Sequence, residues 1–149
     1  MATAMESTSG VVDMLNELIE LNYDILHAYE AAIGRLDNAK HQDQFTVFKD
    51  EQDRQIRDLD SVIRKLGAKP AVSASVKQVV TVGKVAFADI LGDKAVLEAM
   101  KSNVGDMNKA YKRAVARKDL PPEAVSVIQA ALDDERRQHE WLEKTIAVL

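Results

Sequence analysis

Phe45-Thr46-Val47-Phe48-Lys49-Asp50-Glu51-Gln52-Asp53-Arg54-Gln55-Ile56-Arg57-Asp58-Leu59-Asp60-Ser61-Val62-Ile63-Arg64-Lys65-Leu66-Gly67 is the stretch on which the fold turns. Phe45, Phe48, Ile56, Leu59, Ile63 and Leu66 recur at helical spacing, so one face of a long helix is apolar. Gly67 and then Pro70 stop that helix, because glycine accepts a left-handed cap and proline cannot continue the hydrogen-bond ladder. Between Phe48 and Ile56 the apolar stripe is interrupted. Glu51, Gln52 and Gln55 fall inward or at the boundary there, with Arg54 flanking. A core-facing helix with a polar break near its midpoint needs neighbours that answer the break with polar groups of their own.

Upstream, Val11, Leu15, Leu18, Ile25, Tyr29, Ala32 and Leu36 mark a first helix that opens after Ser9, a good N-cap, and breaks at Asp37-Asn38. Downstream, residues 68–92 form a crossover. Pro70 opens it, Ser73 and Ser75 offer caps, and Val76, Val79, Val80, Phe87, Ile90 and Leu91 suit a short amphipathic helix. The run Val79-Val80-Thr81-Val82 would also suit a strand, but a lone strand has no sheet to join. A third helix starts near Asp93 and turns Leu97, Met100, Val104, Met107, Tyr111 and Ala114 inward. A fourth starts at Pro121-Pro122 and carries Val125, Ile128, Leu132, Leu142, Ile146 and Leu149 on its apolar face.

Short first–second and third–fourth connections force antiparallel hairpins, and the long middle connection lets the second and third helices run parallel. The expected architecture is therefore all-α: an antiparallel four-helix bundle with one long crossover containing a short extra helix. One domain spans 9–149, and residues 1–8 are expected to be a flexible tail. At 149 residues the chain is long enough for one sizeable core.

Composition removes several functional classes. The chain has no cysteine, so disulfides, thiolate metal sites and cysteine nucleophiles are out, and a reducing, cytoplasmic setting is expected. The N-terminal residues lack a basic start followed by an apolar core, so neither a signal peptide nor a membrane anchor is expected. Net charge is −4 with acids and bases interspersed, which does not favour nucleic acid. Lys109, Lys112, Arg113, Arg117 and Lys118 are the nearest thing to a basic patch, and they are read as cations complementing a helix C-terminus. There is no glycine-rich phosphate loop and no Gly-x-Ser-x-Gly elbow.

The polar residues on the core stripes carry the functional question. Asn22 lies between Leu18 and Ile25, with Tyr29 the next inward position. On the fourth helix, Leu132 and Leu142 bracket Glu135, Gln138 and His139. All lie near their helix midpoints, so in an antiparallel bundle Asn22, Tyr29, Glu51, Arg54, Glu135, Gln138 and His139 should meet at one level. Such a layer can be a metal or catalytic site, or it can be a hydrogen-bonded, ion-paired layer that fixes helix register. Arg54 favours the second, since a guanidinium stays protonated, cannot ligate and takes a cation's place between Glu51 and Glu135. His27 and Glu30 could form a peripheral metal site, a pair that helix surfaces also produce by chance. Met14, Met100 and Met107 are read as flexible core filler.

Leu15-Asn16-Glu17-Leu18-Ile19, Glu51 ahead of Gly67, Lys118-Asp119-Leu120, and Glu135 ahead of Trp141-Leu142-Glu143 together resemble the ferritin-like superfamily. A closer likeness is to bacterial ferritin-like bundle proteins of unknown function. It rests on Leu66, Gly67 and Pro70, on Arg54, on Ala110-Tyr111, on Leu120-Pro121-Pro122-Glu123 and on His139. The resemblance runs from Val11 to Leu149. It implies that the superfamily's helix-A glutamate position is Asn22, its helix-B glutamate and histidine are Glu51 and Arg54, and its helix-C glutamate is Val104. Its helix-D glutamate and histidine become Glu135 and Gln138, with His139 adjacent. The bacterioferritin haem methionine falls on Gln52.

The expectation that follows is a non-enzymatic ferritin-like bundle of the stress-associated kind, without metal or other cofactor. Self-association is expected from outer apolar residues such as Val12, Val47 and Val82. One alternative is an iron- or manganese-binding oxidase or metal carrier using Glu51, Glu135 and His139, with Tyr29 or Tyr111 nearby as redox partner. Another is an adaptor that binds a partner protein through the crossover around Phe87.

Overall fold

The computed structural model describes residues 4–73 and 92–149, with side chains from Ser9 onward. Among the described residues there are four helices and no strand: α1 Ala4–Ile33, α2 Ala39–Lys65, α3 Asp93–Val115 and α4 Pro122–Ala147. The expected crossover helix, with Val82 and Phe87, lies outside the described residues.

Each helix ends where local chemistry dictates. Asn38 caps α2, its side chain accepting from the backbone N–H of Lys40 at 2.8 Å and of His41 at 3.3 Å. At the other end Gly67 adopts φ 81°, and Ala68 N–H reaches Ile63 O at 3.1 Å while Gly67 N–H reaches Arg64 O at 3.0 Å. That paired closure needs a residue with no Cβ penalty at positive φ. Pro122 opens α4, where a missing N–H costs no helical bond. The start of α1 corrects the expected boundary: the helix begins at Ala4, ahead of Ser9, because Met5 and Glu6 are good helix formers and nothing from Ala4 to Thr8 interrupts them.

Contacts at the helix ends fix the topology. The Asp93 carboxylate at the start of α3 accepts from the backbone N–H of Asp37 and Asn38 at 2.8 and 3.1 Å, so α2 and α3 start at the same end and run parallel. Lys65 at the end of α2 pairs with Glu123 at the start of α4 at 2.6 Å, so those two run antiparallel. The crossover is tied down where it leaves α2. Asn16 of α1 accepts from Ala71 N–H at 2.7 Å and donates to Lys69 O at 3.2 Å.

The core follows the apolar stripes. Leu15, Ile19, Tyr29, Phe45, Phe48, Leu59, Ile63, Leu97, Met100, Met107 and Tyr111 are its largest fully buried side chains. Burying one such side chain is worth about 1.5–3 kcal/mol. Tyr29, Phe45, Phe48 and Trp141 form an aromatic cluster, with Phe48 and Trp141 edge to face at 5.5 Å. Two expected core positions on α4 are corrected: Val125 is 39% exposed and Leu149 is 52% exposed. At the start of α4 the buried stripe runs through Ala124 and Ile128, which leaves Val125 beside it, and Leu149 lies past the last residue of the helix. Val12, expected on the outside, packs partly buried against the core. Among the described residues, no helix is long and apolar enough to cross a membrane.

Candidate functional site

Midway along the bundle, the polar breaks of all four helices meet in a chain of amides and phenols. Tyr29 of α1 donates its hydroxyl to Oε1 of Gln138 on α4 at 2.7 Å. Gln138 Nε2 donates to Oε1 of Gln52 on α2 at 2.8 Å, and Gln52 Nε2 donates to Oδ1 of Asn22 at 2.9 Å. Asn22 Nδ2 donates to Leu18 O at 2.9 Å and to the hydroxyl oxygen of Tyr111 on α3 at 2.7 Å. The Tyr111 hydroxyl donates in turn to Gln55 Oε1 at 2.9 Å. Every member is buried, and each donor of this chain finds an acceptor on another helix. A neutral buried hydrogen bond is worth about 1 kcal/mol net, whereas stripping one partner costs roughly 1–3 kcal/mol, so the chain favours one register strongly over its neighbours.

Glu135 sits at the same level, wholly buried, and neither carboxylate oxygen has a hydrogen-bond partner. Burial pushes its carboxyl up to about 8. The nearby amides of Gln52 and Gln55 favour the charged form without meeting hydrogen-bond geometry, and the charges of Asp134 and Glu51 oppose it. Glu135 is thus mostly a neutral acid at pH 7. Burial, reinforced by Glu135, also holds the Tyr29 phenol well above its usual range.

The ion pairs lie outside this chain, on the seam between α2 and α4. Arg137 grips both oxygens of Glu51, at 2.7 and 3.1 Å, and reaches Asp134 at 2.6 Å. Arg54 pairs with the other oxygen of Asp134 and lies 3.9 Å from Asp58. Burial raises the Glu51 carboxyl, and its hydrogen bonds and charge contact with Arg137 counter that rise.

The expected layer is therefore corrected in two places. Arg54 does not stand between Glu51 and Glu135; its side chain is 46% exposed on the seam. At 3.6 residues per turn it lies about 200° around the helix from Gln52, which faces inward. His139 also lies outside the layer. It faces the groove between α3 and α4, with Nδ1 3.4 Å from Glu143, while its neighbour Gln138 takes the inward position. Asn22, Tyr29 and Gln138 do come together, Glu135 joins them without a bond, and Glu51 stands at the edge. His27 and Glu30 form an exposed contact at 3.7 Å.

The sequence puts Gln52 and Gln55 inward or at the boundary without assigning them a role, and offers Tyr111 as core and as a redox partner in the metal-binding alternative, not as a link in a hydrogen-bonded chain. Sequence reasoning missed Arg137 and Asp134. The signal was present: Arg137 follows Asp134 by one helical turn, and both flank the inward Glu135 and Gln138.

This donor set does not fit the di-metal centre that the resemblance implies. Asn22 and Gln138 are committed as amides in the hydrogen-bonded chain, Val104 is buried and apolar, Arg54 is on the surface, and Glu51 is held by Arg137. Among the described residues, no group of three or more His, Asp or Glu side chains is arranged to hold a metal.

Comparison with solved structures agrees with this architecture. A ferritin-like, diiron-carboxylate protein from Bacillus anthracis superposes with a TM-score of 0.79 over 98% of this chain and 99% of that one, at 16% identity. A dodecameric thioferritin, the bacterioferritin-related protein of Bacteroides fragilis, gives 0.80 over 94% of this chain and 86% of its own, at 12% identity. A two-domain protein from Anabaena variabilis, with DJ-1/ThiJ/PfpI-like and ferritin-like domains, gives 0.77 at 16% identity; the match covers 95% of this chain and 37% of that one. Likenesses at such identities establish the fold, a ferritin-like four-helix bundle. No curated protein matches the sequence. The family described as domain of unknown function (DUF2383) matches residues 10–117, and the chain belongs to it.

Proposed function

We propose that this protein is a non-enzymatic ferritin-like bundle, of stress-associated type and cytoplasmic, that works through association with copies of itself. A metal-free polar layer holds its four helices in register. The hydrogen-bonded chain from Tyr29 through Gln138, Gln52, Asn22 and Tyr111 to Gln55 carries this reading, since neutral amides and phenols occupy the level at which a metal-binding bundle needs carboxylates and imidazoles. The half-exposed Val47 on α2 supports self-association, as does the dodecameric state of the Bacteroides relative.

The test is aerobic oxidation of ferrous iron together with thermal melting in chelator. The expected outcome is an oxidation rate equal to that of buffer alone and a melting temperature unchanged by chelator. Accelerated oxidation that disappears in Glu135→Gln would instead support the oxidase reading through Glu51, Glu135 and His139.

A further inference from the structure

Charge is cancelled locally on α2 and α4 but not on α1 or in the second half of α3. Arg57 pairs with Asp53 at 3.7 Å, Arg64 with Asp60 at 2.6 Å and Lys144 with Glu140 at 2.6 Å, each across one helical turn. Nothing on α1 can do this, since no lysine or arginine precedes Arg35. Asp13 and Glu17 are exposed, Glu20 is half-buried, and none of them pairs with a cation among the described residues. The second half of α3 is the opposite case, with no acid between Asp106 and Asp119. There Lys109, Lys112 and Arg113 are exposed and pair with no carboxylate among the described residues.

Each set repels itself. Asp13 and Glu17, like Lys109 and Arg113, stand four residues apart on one helix face, where like charges destabilise the helix. The helix dipole offsets little of this, because its field falls off within the first and last turns. α1 begins at Ala4, so Asp13, Glu17 and Glu20 lie beyond its first turn, and Lys109 precedes the last turn of α3, which ends at Val115.

The two sets lie at one level of the bundle, on neighbouring helices. A Cβ on Gly10 would lie 3.3 Å from the Arg117 guanidinium, and Asn22 bonds Tyr111 at 2.7 Å, so residues 10–22 of α1 run beside 111–117 of α3. A two-fold axis parallel to the bundle therefore sets α1 of one chain against α3 of its partner at the same height, acid against base, and repeats the contact with the roles exchanged.

We propose that these two stripes form a docking surface for a second copy of this chain, with Asp13, Glu17 and Glu20 against Lys109, Lys112 and Arg113 of the partner subunit. This rests on the self-association proposed above and names its surface. A polyanion would answer the bases alone and a basic peptide the acids alone, whereas a second copy answers both. Exposed ion pairs are weak singly and are screened by salt, so the contact is salt-sensitive.

Sedimentation velocity of the full chain tests the proposal on the wild type, on Asp13→Lys/Glu17→Lys, on Lys109→Glu/Arg113→Glu and on an equimolar mixture of the two variants. All four substituted positions are exposed. The wild type should associate, with a dissociation constant that rises about tenfold or more between about 0.05 and about 0.5 M sodium chloride. Each variant alone should be monomeric, because the facing stripes then carry the same sign. The mixture should restore association, because in the mixed dimer both contacts are again opposite in sign. A monomeric wild type would overturn this surface and the self-association reading together. Variants that still associate alone, or that stay apart when mixed while the wild type associates, would overturn this surface and leave self-association standing through another.

Discussion

Glu135 carries an unbonded carboxyl into the middle of the bundle, and its burial sets how stability responds to pH. Its folded-state value of about 8 stands above the ordinary 4.5, so between those values the folded chain binds more protons than the unfolded one. Stability contributed by this group is therefore present at pH 4.5 and lost as pH rises through about 8. Glu135→Gln, which keeps the shape and removes the charge, should stabilise the protein at pH 8 by a few kcal/mol, on the order of 3, and by much less at pH 5. Urea unfolding at the two pH values measures this, and equal effects at both would contradict the assigned burial. At the same scale, Tyr29→Phe removes the donor that satisfies Gln138 Oε1 and should cost roughly 1–3 kcal/mol in the same assay.

Among the elements, α3 is fastened at its first residue. The Asp93 carboxylate takes the backbone N–H groups of Asp37 and Asn38 and sits 2.8 Å from His41 Nδ1, while the His41 ring meets Trp141 edge to face at 6.0 Å. Burial alone would raise the Asp93 carboxyl; those hydrogen bonds outweigh it and hold the group below the ordinary 3.8. The clasp therefore contributes above pH 3.8 and is lost as pH falls through the depressed value. Asp93→Ala should cost roughly 2–4 kcal/mol at pH 7 and less once pH falls below the depressed value, where the neutral carboxyl is the weaker acceptor. Hydrogen exchange at Asp37 and Asn38 should quicken in step, and unchanged protection there would remove the clasp from the account.

How far the sequence was legible also shows at this scale. Leu97, Met100, Val104, Met107, Tyr111 and Ala114 were readable as the buried face of α3, because helical periodicity is a property of one segment alone. The choice between Arg54 and Arg137 as the partner of Glu51 was not. It depends on how α2 is rotated against α4, which no spacing within either helix records. His139 was misplaced for a related reason: adjacent residues point about 100° apart, so with Gln138 in the interior His139 faces a groove. The His41–Asp93 pair joins residues far apart in sequence and has no local signature.

For the whole molecule, the fold is a ferritin-like four-helix bundle whose centre is a chain of hydrogen-bonded amides and phenols. Under the proposed function, hydrogen bonds that cross between helices hold the register, and the ion pairs lie along the seam between α2 and α4, where the half-exposed Arg54 and Arg137 cover the nearly buried Asp134 and Glu51. The direct test is the metal content of the purified full chain, produced with added iron and manganese and measured by inductively coupled plasma mass spectrometry beside Glu135→Gln. A metal-free layer predicts far less than one metal ion per chain in both proteins. One or more iron or manganese ions per chain in the wild type, lost in Glu135→Gln, would contradict it.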